Sequence, residues 1–542
     1  MAHDGGRTEF QFTPGGKAGS QREGQPQERR AADAGGADGG AFHVLVMADL
    51  SGRGSRGATD GPAAPLANRR PVKVDIDNID SVIRKMGVQI HVPLGHAALP
   101  IVIQTLEDFH PDRLFEQLPI FARLRDLHSR LGSAATFAAA AEEVRGMFAT
   151  GETPPKGGTP ERSASGGTGA AQGGTPEQAG DVTFASLIGG APRAPEPPSE
   201  TPSESFIRSI VEPYAVAGPN PDQKQLQQLV ADALGAGMRA ILHHPAFQPV
   251  EAAWRSVNFL VSRLNTDGNL KVFLLDITRE ELATALEVGD LEESPLYRIL
   301  IDATVNTPGG VPWSLLIGDY TFDQSPESIK LLAILATLGQ SAGAPFVAGA
   351  SPAIAGVPGG LEGPKSFAEV PDHRQWKAAP SDYWNKLRAL DQAQWLALAA
   401  PRFLVRQPYG PGSDPVEKYA FAEVAPGAQG ETLHRSLLWA NPGFAVGLVI
   451  ANAFLESEEP AVGEPWSVGP TDALEVAELP AYTVDEEMMP CAEAYLTDAA
   501  AEAMFAQGVL PLLSIKRRPA VQLFGLPSIA AANTPLAGRW RT

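Results

Sequence analysis

Few residues in this sequence combine the types and spacing that chemistry needs. His243 and His244 are adjacent and precede Pro245. Neighbouring side chains point to different sides of a helix, so this pair cannot clasp one metal ion as histidines four apart can, and no third ligand is near. Thr307-Pro308-Gly309-Gly310 is rich in glycine but lacks the Lys-Ser/Thr of a phosphate loop, and reads as a turn. Cys491, the single cysteine, lies between Pro490 and Ala492 with no basic neighbour to activate a thiolate. Asp319 follows an apolar run, Ser314-Leu315-Leu316-Ile317-Gly318, and the carboxyl end of a strand is a common catalytic position in α/β proteins. The alternative role for it is capping a neighbouring turn. Asp485-Glu486-Glu487 reads as a solvated face. No catalytic constellation, cofactor site or metal site emerges.

The chain that must position these residues has 542 of them, a net charge of −20 and 43% hydrophobic content. That charge argues against nucleic acid and against an anionic membrane surface as partners. A lone cysteine excludes a disulfide framework and fits a reducing compartment. No apolar run approaches the ~20 residues of a membrane span, and Met1–Gly40 lacks a signal-peptide core. A cytoplasmic location is expected, with residues 1–40 a polar, Gly-rich disordered tail.

From residue 41 to 149 the pattern is that of an α+β block. Phe42–Met47 reads as a buried strand and Val72–Ile76 as an edge strand. Asp77 and Asn78 offer N-cap chemistry to a helix over Ile79–Met86 that Gly87 stops. Strands follow near Gln89–Val92 and Leu99–Leu106. Asp108 precedes Pro111, which suits the first turn of a helix over Pro111–Leu118. Phe121, Leu124, Leu127 and Leu131 form the apolar stripe of the next helix. Val44–Met47, Val72–Ile76 and Leu99–Leu106 are expected in one small sheet, covered by helices from Phe109–Leu131.

Thr150–Glu204 is dominated by Gly, Pro, Ser and Thr and reads as a disordered linker. One island in it, Val182 to Ile188 with Phe184 and Leu187, has strand chemistry. The linker leads to a second block, 205–542, whose alternating helices and strands give an α/β layered core of mixed sheets. Gln225–Leu242 is amphipathic. Pro245 is expected to open a helix with Phe247, Val250, Trp254, Val257, Val261 and Leu264 on one face. Leu270–Ile277 reads as a strand covered on both faces, and Thr278 with Glu281 as a capping box. Ser294–Val305 and Ser328–Gly339 read as helices and Trp313–Phe322 as a strand. Boundaries beyond Pro352 are not placed.

Several of these segments, taken in order, resemble the large subunit of the type VI secretion contractile sheath. They are Ile241-Leu242-His243-His244-Pro245-Ala246-Phe247-Gln248 running into Glu251-Ala252-Ala253-Trp254-Arg255, then Ser294-Pro295-Leu296-Tyr297, Gly309-Gly310-Val311-Pro312 and Leu316-Ile317-Gly318-Asp319-Tyr320-Thr321-Phe322. Ala344-Pro345-Phe346, Arg402-Phe403 and Gln407-Pro408-Tyr409-Gly410 continue the series. The first block resembles the sheath small subunit through Val72-Lys73-Val74-Asp75-Ile76-Asp77-Asn78-Ile79-Asp80 and Asp108-Phe109-His110-Pro111-Asp112.

The resemblance implies a natural fusion of small and large sheath subunits, self-associating into a polymer around an inner tube and acting with baseplate components in protein export. It implies a structural role rather than an enzymatic one. An uncharacterised α/β enzyme, with its site at Asp319 or the two histidines, is the competing class. Ser256 stands where the family has Gly after Trp-Arg. The usual large subunit also continues past the point matched by Thr542, in a portion that interlocks neighbours. A non-contractile adaptor or cap of the same apparatus is therefore the second reading. Sheath families exchange terminal strands between subunits, so Val182, Phe184, Leu187 and Ile188 are expected to form an assembly strand.

Overall fold

The computed structural model describes residues 41–148 and 223–541, apart from 58–64, 95–96, 288, 358–373, 375, 377–380, 426, 429, 458–465, 468–473, 485–486 and 532–533. The tail, the linker, its 182–188 island and most of the acidic run at 485–487 lie outside the described residues.

The first apolar run forms strand β1, Phe42–Ala48, and the second strand is β2, Val72–Val74. Helix α1, Ile79–Met86, ends at Gly87 in the left-handed conformation, φ +63°, which glycine adopts without a Cβ clash. Asn78 occupies the N-cap position of α1, yet its side chain bonds no helix amide. Instead Asp75 and Asn78 each accept the other's backbone N–H, at 3.0 and 3.1 Å, closing the turn before the helix. Strands β3, Gln89–Leu94, and β4, Ala97–Val102, form a hairpin. Helices α2, Pro111–Gln117, α3, Pro119–Gly132, and α4, Phe137–Phe148, follow.

Beyond the linker come α5, Gln223–Leu242, and α6, Gln248–Val261. The second starts three residues later than Pro245, because Pro249 rather than Pro245 supplies the rigid first turn and residues 243–247 form the connection. All six stripe residues of α6 and its continuation, Phe247 to Leu264, are buried. Strand β5, Leu270–Asp276, leads to α7, Arg279–Ala285, whose Thr278–Glu281 capping box is complete. Residues 295–302 form one helical turn and then a π-helical one rather than a continuous helix. Next are β6, Leu315–Phe322; α8, Pro326–Ala342; β7, Phe346–Ala350; and α9, Asp382–Arg388. The remainder holds β8, Leu396–Ala400; β9, Phe403–Leu404; α10, Gly430–Arg435; β10, Trp439–Ala440; α11, Pro442–Glu456; β11, Glu475–Val476; α12, Asp498–Ala506; β12, Leu510–Ser514; and β13, Val521–Leu523.

Nine strands make one mixed sheet in the order β11-β13-β12-β8-β7-β6-β1-β5-β2. Its six inner strands, β12 to β5, run parallel, and the strands at each end are antiparallel. Helices cover both faces, as a parallel sheet requires. The expectation of one small sheet for the first block is corrected here. β1 and β2 flank β5 in the large sheet, while β3 and β4 form a separate two-stranded sheet. The physical reason is that β1 is apolar on both faces, and a small, one-sided sheet cannot bury both.

The α3 stripe is buried as its spacing requires, with Phe121 1% exposed. Phe121→Asp places an unpaired charge there and is expected to cost several kcal/mol, on the order of 3–5. Thermal melting of the full chain checks this; an unchanged melting temperature would show that the stripe is not core.

Candidate functional site: the seam between the two sequence blocks

Strand β1 runs the length of the seam. On one side it pairs with β5, from Phe42 opposite Leu270 to Ala48 opposite Asp276. On the other it pairs with β6, from Val44 opposite Leu315 to Met47 opposite Gly318. β5 and β6 therefore meet only through a strand that lies more than 220 residues earlier, and without β1 the sheet is split. Phe346 of β7 lies across Gly318, where an added Cβ would stand 2.3 Å from its Cζ. Only glycine allows that approach. Pro345 anchors the start of β7 by accepting the Leu316 N–H at 2.9 Å.

Where β1 ends, side chains of both blocks close the joint. Asp276, at the end of β5, accepts the backbone N–H groups of Leu50 and Ser51 at 2.9 and 3.0 Å and the Ser51 hydroxyl at 2.7 Å. The Trp254 indole donates to the Leu50 carbonyl at 2.8 Å in a buried bond. Arg69 pairs with Glu281 and donates to the Asp276 carbonyl at 2.7 Å. Burial alone would raise the Glu281 carboxyl, but Arg69 and the Thr278 amide hold it below its ordinary range.

A second contact runs through α2. Asp108 accepts the amides of Gln104 and Thr105 and the Gln117 side chain, which fixes the turn carrying Phe109. Phe109 packs edge-on against Phe247, centroids 5.7 Å apart. Pro111 starts α2, and Asp112 in its first turn accepts the Glu417 and Lys418 amides of the second block at 3.0 and 2.9 Å. Phe115 stacks on Tyr419 and His110 meets Tyr409 edge-on.

Behind this contact lies a buried ion network. The Arg406 guanidinium spans Glu251 on α6 and Glu423, with closest distances of 2.7 Å to each. Arg255 donates to Glu251 and to the Tyr409 hydroxyl, at 3.2 and 2.7 Å. Desolvation would raise the Glu423 carboxyl, yet Arg406 and His243 hold it down to about 2. His243 Nε2 lies 3.4 Å from Glu423. His244 accepts the Ala246 amide, and burial lowers its pKa. The two histidines and the Pro245 that follows them thus build the turn between α5 and α6. A similar cluster joins Arg402, His434 and Glu493, whose carboxyl is also held at about 2 against its burial.

The sequence-derived site residues are therefore spread along the seam rather than gathered in one pocket. Gly309 and Gly310 sit apart, in a turn where Gly309 has φ +77° and a Cβ on Gly310 would lie 2.3 Å from the Thr304 carbonyl. Asp319 neither caps a turn nor meets the histidines; among the described residues it accepts no protein hydrogen bond. Tyr320 donates to the Ile277 carbonyl at 2.9 Å. Cys491 is buried, its thiol pushed up to about 11 by desolvation. Among the described residues no three His, Cys, Asp or Glu side chains are placed to hold a metal ion. Glu251, Arg406 and Glu423 were missed. A signal existed for Glu251, a carboxylate in the apolar stripe between Val250 and Trp254, since a charge at such a position needs a buried partner.

Comparison with known proteins decides what this seam joins. A model of the VipB family (EvpB/VC_A0108, tail sheath N-terminal domain) matches residues 224–530, more than half of the chain. The chain belongs to this tail-sheath family. A model of the type VI secretion system VipA family (VC_A0107 or Hcp2) matches residues 40–148. The chain is 30% identical over 345 residues to the type VI secretion system sheath protein TssC1 of Pseudomonas aeruginosa, covering 58% of this chain and 66% of that protein. It is 27% identical over 103 residues to the sheath protein TssB1 of the same organism, covering 18% of this chain and 57% of that protein. The chain thus spans less than two thirds of the length of each relative. The sheath protein is a fusion, with a VipA-like part supplying β1 to β4 and α1 to α4, and a VipB-like part supplying the rest. No helix among the described residues is long and apolar enough to cross a membrane.

Proposed function

We propose that this chain is a structural subunit of a type VI secretion contractile sheath, contributing the small- and large-subunit parts, residues 41–149 and 205–542, from one polypeptide. It polymerises around an inner tube in the cytoplasm and works with baseplate components to drive protein export, without an enzymatic step. The observation that carries this reading is β1: the VipA-like part donates the central strand that joins β5 to β6 of the VipB-like part. Fusing two polypeptides that must share a sheet fixes their ratio and raises their effective concentration without a new contact. The motif residues singled out in the sequence serve that joint: Phe109, Phe247 and Trp254 make contacts across it, Arg255 braces Glu251 and Tyr409 behind it, and Asp75, Asn78 and Asp108 hold the turns that reach it.

The full chain, co-expressed with a tube protein and baseplate components of a type VI secretion system, is expected to form tubes or arcs in negative-stain micrographs. Monodisperse monomers under every condition tried would overturn the proposal.

A further inference from the structure

The chain has 63 acidic and 43 basic side chains, yet it sets three cations in a row, Lys516-Arg517-Arg518, at the tip of the β12–β13 hairpin. The tip is firmly held. Ile515 donates its amide to the Ala520 carbonyl at 3.0 Å, and Arg518 donates its own to the Ile515 carbonyl at 3.2 Å. The Pro519 carbonyl accepts the Leu479 amide at 2.8 Å, which ties the tip to the chain beyond β11. Arg517 holds the left-handed conformation, φ +59°, where side chains other than glycine are uncommon. All three cations are exposed. Arg518 is paired with Glu475 of β11, whereas Lys516 and Arg517 make no ion pair among the described residues. Arg263 adds positive charge nearby, donating to the Glu478 carbonyl at 2.8 Å.

The opposite charge gathers towards the other end of the sheet. After β5 and α7 the chain passes through Glu287, Asp290, Glu292 and Glu293, all exposed. Asp290 accepts the Glu292 amide at 3.1 Å, capping a short turn that fixes where Glu292 and Glu293 stand. Lys330 comes to 4.0 Å from Glu287, but both side chains are more than half exposed, so the pair contributes little. Asp290, Glu292 and Glu293 make no ion pair among the described residues. Five strand spacings separate β12 from β5, about 24 Å at ~4.8 Å each, so the sheet holds the two patches apart.

Opposite patches held apart in one chain can meet between copies. Because they are different surfaces the contact is head-to-tail, and its repetition builds a ring or a helical filament instead of a closed pair. We propose that the basic turn 516–518 of one copy docks on the acidic ridge 287–293 of the next and sets the register of neighbouring subunits. Complementary charges across an interface steer encounter and fix register in this way. The inference rests on the sheath reading above, since it needs a polymer in which to act.

The test uses the full chain in preparations where the wild type forms tubes, so a failure of the sheath reading shows first in the wild type itself. Lys516→Glu with Arg517→Glu is expected to lower the sedimented polymer about tenfold, and Glu292→Lys with Glu293→Lys to do the same. The four changes together are expected to restore it. The first pair makes the chain more acidic and the second less so, and general repulsion between copies would therefore move the two in opposite directions. All three variants are expected to melt with the wild type, because the four side chains are exposed and unpaired. Loss confined to the basic-turn variant would mean that the turn meets a different partner, and overturns the proposal. So does wild-type polymer from both pairs, or no recovery in the combined variant.

Discussion

Val46→Asp is expected to unfold both parts of the chain together. Val46 is fully buried at the centre of β1, opposite Leu274 on one side and Ile317 on the other. A carboxylate there meets no cation, and the penalty of several kcal/mol is comparable to the whole stability of a domain, about 5–15 kcal/mol. If the VipA-like and VipB-like parts were independent domains, the substitution would melt only the first and leave the second at its wild-type temperature. Because β1 alone bridges β5 and β6, the expected result is a single loss. Hydrogen exchange in α8 and β7, which lie wholly in the VipB-like part, would rise together with exchange in α3. Protection of α8 and β7 at wild-type levels would show that the VipB-like part holds its sheet without β1.

The same geometry explains what could be read from the sequence and what could not. The α3 and α6 stripes were legible because helical burial is local: three- and four-residue spacing states which side faces inward. β1 was legible as a buried strand from Phe42–Met47, but its partners were not. Neighbouring strands in a chain usually pair, and that rule placed β1 with β2 and β4. The true partners lie across the linker, and an apolar run carries no mark of which other apolar run it meets. What forces the choice is burial of both β1 faces, which needs helices from both parts. The Arg406 network was illegible for a related reason. Glu251 hints at a partner, but Arg406 and Glu423 lie 155 and 172 residues beyond it, in loop segments without periodicity. Asp319 was legible as a carboxylate at a strand end. Its setting depends on β1, and so on a pairing that sequence spacing does not encode.

Arg406→Met is expected to cost about 3–5 kcal/mol, because it breaks a buried ion pair while leaving its carboxylates in place. Glu251 and Glu423 are 0% and 1% exposed, and removal of the guanidinium leaves Glu251 to Arg255 and Glu423, deprived of its main partner, to the His243 ring 3.4 Å away. The pH dependence separates this mechanism from a simple packing loss. In the wild type the Glu423 carboxyl is depressed from 4.5 to about 2, so its contribution is present above pH 4.5 and is lost as pH falls towards 2. Without Arg406, the largest of the influences that lower it, that carboxyl moves upward under its burial, so relative to the wild type the variant should gain stability as pH falls. A gap between the two melting profiles that narrows as pH falls is the expected signature, read from melting temperatures of the two proteins. Adding Glu423→Gln to Arg406→Met should recover part of the loss, since the second change neutralises the stranded charge instead of removing another contact. Additive losses in the double variant would mean that Arg406 acts through packing against Tyr409, which its guanidinium overlies at 4.1 Å, and not through its charge.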